Sequence, residues 1–176
     1  ANAIDSTNAS FASLSDVGLF VSSSGPGVFP TAPLLPADTQ ATIESVPGAA
    51  GVVAGQMAYA PVGGPRVLIQ GLSPGSAAPP IRSMRDDVLR QLLAGDGIVI
   101  SRDVARSMQL QAGDELTLQT PTGERTVRIL QVAPFFSLLG GVVSMSLPKL
   151  REWFDRPGST ILAVDLAPGA DRKGVE

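Results

Sequence analysis

The chain has no cysteine and no histidine. It therefore has no thiolate nucleophile, no disulfide, no Ser-His-Asp triad and no Cys/His metal site. A hard-cation site built from Asp and Glu remains open, but no acidic cluster has the spacing of a calcium loop. Charge is also scarce: 16% of residues are Asp, Glu, Lys or Arg, and the net charge is −3. The 13 basic residues are scattered, which excludes a nucleic-acid footprint. Long apolar runs are missing too. Val17 to Ala37, Ser45 to Pro65 and Ile129 to Pro148 carry no charge, yet each is broken by Pro, Gly, Ser or Gln. A bilayer span needs ~20 mostly apolar residues, so the sequence predicts a soluble piece. The opening "ANAIDSTNASFASL" has neither a basic start nor an apolar block and reads as no signal peptide.

What is present suits a core-forming chain. Of 176 residues, 44% are apolar, enough for one sizeable domain or two small lobes sharing a core. Arg outnumbers Lys 11 to 2, a bias that points to a GC-rich bacterial genome. Cysteine absence does not fix the compartment, though it is compatible with an exported domain.

Hydrophobic spacing sets out the elements. Ile4, Phe11 and Leu14 are spaced apolar positions in a polar start, compatible with a helix. "DVGLFVSS" reads as a strand, and Asp38 or Thr39 caps a short helix that Pro47-Gly48 stops. "AGVVAGQMAYAPVGG" and "PRVLIQGL" predict a hairpin. "SPGSAAPPIRS" is the best linker, so a division into two lobes falls near residues 72–82. "MRDDVLRQLLAGDG" is the clearest helix, with Met84, Val88 and Leu92 at i, i+4, i+8, Ser83 as N-cap and Gly95 as terminator. "GIVIS" is a strand, and Ser101 caps "RDVARSM". "ELTLQT", "PTGE" and "RTVRILQV" form a second hairpin with one buried face. "VVSMSL" is a strand, "PKLREWF" a short helix, "STILAVDL" a strand and "PGADRKGVE" a helix start. The predicted class is α+β with mixed, short-stranded sheets.

Few groups in this inventory suit chemistry. Gly113 before Asp114 suits a positive φ that ends the short helix, and Asp114 can bond nearby backbone N–H groups. A catalytic Asp114 wants a perturbing partner, and no histidine exists to supply it. Gly123 serves the hairpin turn. "GPGVF" and "PVGGPR" lack the Lys-Ser/Thr of a phosphate loop. Asp86 and Asp87 are adjacent on a helix and diverge by ~100°, so helix-dipole stabilisation accounts for them better than paired catalysis. The apolar "PFFSLL" stands out. Phe135, Phe136, Leu138 and Leu139 lie between Pro134 and Gly140-Gly141, which mark a loop. Bulky apolar residues on a loop suit a partner or a membrane surface; the alternative is that they fill the core between lobes. Trp153 and Phe154 pose the same choice on a short amphipathic helix.

The series "DGIVISRDVARSMQLQAGDELTLQTPTGERTVRILQV" resembles the extracytoplasmic core of FtsX-like and MacB-like ABC transporter permeases. It is carried by "IVIS", Ala105-Arg106, Leu110 with Gly113-Asp114, Gly123 and "VRILQV", then by "VSMSLPKLREWF", "STILAVDL" and "PGAD". The resemblance covers residues 16–171 and is strongest over 95–170. It implies a noncatalytic extracytoplasmic domain lying between two membrane helices. It implies that the domain itself has no cofactor, since ATP is used by a cytoplasmic ATPase. The implied partners are the permease's own membrane helices, that ATPase, a second permease copy or half, and an extracytoplasmic protein or a lipid or peptide substrate. The contact candidates are Phe135, Phe136, Leu138, Leu139 and Trp153. Two other readings compete: a soluble ligand-binding module with a double-psi-like barrel, and a hydrolase using Ser and carboxylates alone.

Overall fold

The computed structural model describes residues 19–25, 28–134 and 140–170. The N-terminal helix expectation, the Phe135–Leu139 loop and the final "DRKGVE" lie outside those residues. The described chain is α+β, as the sequence predicts. Its strands are β1 (Leu19–Ser22), β2 (Ala49–Pro61), β3 (Arg66–Leu72), β4 (Ile98–Ser101), β5 (Glu115–Thr120), β6 (Gly123–Ala133), β7 (Val142–Ser146) and β8 (Ile161–Leu166). Its α-helices are α1 (Thr39–Glu44), α2 (Asp86–Ala94), α3 (Arg102–Met108) and α4 (Leu147–Phe154).

One mixed eight-stranded sheet runs in the order β1-β8-β2-β3-β7-β4-β6-β5. Two neighbouring pairs are parallel, β3 with β7 and β4 with β6, and the rest are antiparallel. β2 serves two neighbours. Its first half pairs with β8 and its second half with β3. β5, at the far edge of the sheet, curls round to lie against β2.

This curl encloses the main core. Ile69, Ile98, Ile100, Leu118, Ile129 and Met145 point inward, and α3 and α4 add Val104, Leu150, Trp153 and Phe154. The pleat sends alternate residues to opposite faces. Val99 therefore lies on the outer face, where it joins Leu72, Val88, Leu92 and Ala133 beneath α2. β5 shows the pattern plainly, with Leu116 and Leu118 buried between exposed Glu115, Thr117 and Gln119. β4 is buried throughout because both its faces are covered.

Two helix ends differ from the sequence reading. α2 begins at Asp86 with Arg85, not Ser83, at its N-cap, and Ser83 instead ends a 3-10 turn over Pro79–Ser83. The cause is Gln131. Its amide donates to the Ser83 carbonyl at 2.7 Å, and its oxygen accepts from the Arg85 N–H at 3.2 Å. That clamp fixes the chain before the helix can start. α3 ends at Gln109, which takes φ 56, not at Gly113. The predicted linker is tied down as well: Ser73 Oγ donates to the Ala54 carbonyl at 2.7 Å, and Ile81 packs beneath α2.

Candidate functional site

The Gly-Asp cassette is a set of turns. Asp114 Oδ2 accepts from the Gln111 N–H at 2.9 Å. The Gly113 N–H donates to the Ile129 carbonyl and the Ile129 N–H to the Asp114 carbonyl, both at 2.8 Å. Gly113 needs φ 99 to do this, a backbone region that glycine adopts without steric cost. At the hairpin tip Gly123 takes φ 114, and Thr120 Oγ1 donates to its carbonyl at 2.7 Å. Asp114 thus spends a carboxylate oxygen and its carbonyl on backbone. Among the described residues no group of three or more acidic side chains could hold a metal.

Several strand ends converge at one end of the sheet. β4 ends at Ser101 beside Ala133, the end of β6. β7 starts at Val142, opposite Leu68 of β3. The β2–β3 hairpin turns here, with the Val62 N–H donating to the Pro65 carbonyl at 2.9 Å. Ser101 joins these parts. Its buried hydroxyl accepts from the Val142 N–H at 3.0 Å and caps α3 through the Val104 N–H at 3.5 Å. Gly141 must be glycine: a Cβ there would overlap Val104 Cγ2 and stand 2.9 Å from Ser101 Oγ.

Phe135, Phe136, Leu138 and Leu139 lie outside the described residues. Their flanking residues do not. Pro134 and Gly140, both exposed, root that segment at this convergence of strand ends. Trp153 lies among the described residues. Trp153 is 8% exposed and belongs to the main core. Its carbonyl accepts from Thr122 Oγ1 at 2.8 Å, at the start of β6, whereas the segment is rooted past the end of β6. The eleven residues of β6 lie between Thr122 and Pro134 along the chain. Phe154 is buried likewise.

A third feature escaped the sequence reading. On the outer face, side chains of β1, β8, β2 and β3 line a groove of about 90 Å³, closed along one side by residues 76–78. Phe20, on β1, is 38% exposed there. The signal was present in "DVGLFVSS", where Phe20 sits alone on a short strand, but a single strand does not reveal which face lacks a cover.

The first and last strands lie side by side. Leu19, the first residue of β1, pairs with Val164 of the adjacent antiparallel β8, which ends two residues on at Leu166. The outer ends of these first and last described strands thus lie together at one end of the sheet. Leu166 pairs with Ala49, the first residue of β2. The root of the 135–139 segment lies toward Pro61, the other end of β2.

This fold is one found in extracellular domains of ABC-type transporters. Over 89% of this chain and 86% of that one, it is similar to the extracellular domain of the noncanonic ABC-type transporter YknZ from Gram-positive bacteria, with a TM-score of 0.59 and 14% identity. It is similar to the periplasmic region of MacB from Actinobacillus actinomycetemcomitans over 90% of this chain and 79% of that one, with a TM-score of 0.52 and 10% identity. No family model matches the sequence, and no curated protein matches it.

Proposed function

We infer that this chain is the noncatalytic extracytoplasmic domain of an ABC transporter permease. It couples ATP hydrolysis by a cytoplasmic ATPase to export or extraction of a substrate, or to activation of a partner, at the outer face of the membrane. The observation that carries the reading is the paired course of β1 and β8. A domain inserted between two membrane helices receives and returns its chain close together, and the neighbouring outer ends of β1 and β8, the first and last described strands, agree with that. The shared fold supports it. The domain holds no cofactor of its own, and its partners are the permease helices, the ATPase and a second permease copy or half.

The 135–139 segment, rooted at the far end, is the contact with an apolar peptide, a lipid or an extracytoplasmic protein. Trp153 supports α4 from within the core. The test is Phe135→Ala with Phe136→Ala in the full-length transporter. Export or partner activation falls at least tenfold, while thermal unfolding of the isolated domain is unchanged. Full activity with an intact fold would eliminate the segment as the contact.

A further inference from the structure

At the end of the sheet where Ser101 joins the strand ends, the β2–β3 hairpin packs directly on α3. Gly63, in the hairpin turn, lies so close to Met108 that a Cβ there would stand 3.3 Å from its side chain. Three exposed arginines rim this contact: Arg66, the first residue of β3, and Arg102 and Arg106 on α3. The two on α3 are four residues apart and share its solvent face, while Val104 and Ala105 turn to the core. The protein as a whole carries −3, yet among residues 61–66 and 101–108 the one carboxylate is Asp103.

None of the three guanidiniums has a hydrogen bond or ion pair among the described residues. Arg66 lies 4.5 Å from the centre of the Tyr59 ring. A guanidinium held against an aromatic ring still presents its N–H fork to a ligand. The placement also works against α3 itself. Arg102 stands in the first turn, where a positive charge opposes the helix dipole and Asp103 offsets only part of it. Arg102 and Arg106, at i and i+4, repel each other. Charges set against local preference point to a function outside the element.

An anionic membrane is a poor match. Lipid-binding clusters hold ~4–8 basic residues, whereas here three stand with one aspartate. A carboxylate suits the groups better, because one guanidinium gives it two parallel N–H bonds. We propose that this end of the domain binds an acidic stretch of an extracytoplasmic protein, whose carboxylates pair with Arg66, Arg102 and Arg106. The proposal rests on the reading that this end meets a partner, and it adds the partner's charge.

The probe is fluorescent poly-L-glutamate, with binding to this chain read by anisotropy. A protein of net charge −3 repels such a polymer on average, so binding requires a local basic patch. The parent chain binds, and added salt weakens the binding. Arg102→Gln with Arg106→Gln lowers affinity at least tenfold. Arg90→Gln with Arg128→Gln, exposed arginines on α2 and β6, removes the same charge and lowers it less than twofold. The first pair also keeps or raises the thermal midpoint, because it relieves the repulsion on α3. No binding by the parent, or equal losses for the two pairs, overturns the proposal. A lower midpoint for the first pair overturns it too, by making those arginines structural. So does binding to phosphatidylglycerol vesicles without binding to poly-L-glutamate, which would assign this end to a lipid surface. Each of these failures leaves the transporter reading standing, because that reading is tested by the side of the membrane on which the chain is labelled.

Discussion

Asp114 is tied into the backbone around it. Its carboxylate receives one backbone N–H, and its carbonyl receives another. Asp114→Ala leaves the Gln111 N–H without that acceptor. The expected loss is about 0.5–2 kcal/mol of stability, measured by urea unfolding, with transport by the full-length protein unchanged at permissive temperature. A transport defect in a stably folded variant would restore a chemical role. Gly141 is the sharper case. A methyl group there meets Val104 and Ser101 at a φ of 132. Gly141→Ala should cost about 2–5 kcal/mol from strain and overpacking together, read as a fall in the unfolding midpoint. The sequence marked Gly140-Gly141 as a loop signal. That Gly141 lacks room was not legible, because Val104 and Ser101 arrive from a strand and helix distant in sequence.

At the scale of elements, local signals read well and long-range ones did not. The two hairpins, the α2 stripe of Val88 and Leu92, and the Ser101 cap all rest on residues a few positions apart. The parallel pairings of β3 with β7 and β4 with β6 join distant stretches, and periodicity carries no information about partners. The start of α2 was missed for the same reason, since Gln131 sets it from β6. Residues 28–36 present a similar case. They have little secondary structure and are held by Arg156, whose guanidinium donates to the Thr31 carbonyl at 2.6 Å and the Met57 carbonyl at 3.3 Å. Partial burial lowers its pKa from the usual guanidinium value. Arg156→Met keeps much of the apolar stem and removes both bonds. Amide exchange at Leu35, whose N–H donates to the Ser159 carbonyl, should then accelerate about tenfold, equivalent to ~1.4 kcal/mol. Unaltered protection at Leu35 would mean that the packing of residues 28–36 suffices without the arginine.

At the scale of the whole molecule, the fold separates two ends. The outer ends of β1 and β8, the first and last described strands, lie at one of them. The β2–β3 hairpin, the start of α3 and the root of the 135–139 segment gather at the other. The resemblance in the sequence anticipated the fold, because the order of strand, helix, Gly-Asp turn and hairpin is preserved along the chain. The paired course of β1 and β8 was not readable, since it depends on pairing between opposite ends of the sequence. On the proposed reading, a domain with this layout would stand on the outer side of the membrane. The measurement that tests this most directly is sidedness in intact cells producing the full-length protein. With Arg106→Cys, an exposed position on α3, a membrane-impermeant maleimide should add label above the parent protein without any permeabilisation. Added label that appears only after the membrane is opened would place the domain inside the cell and contradict the account.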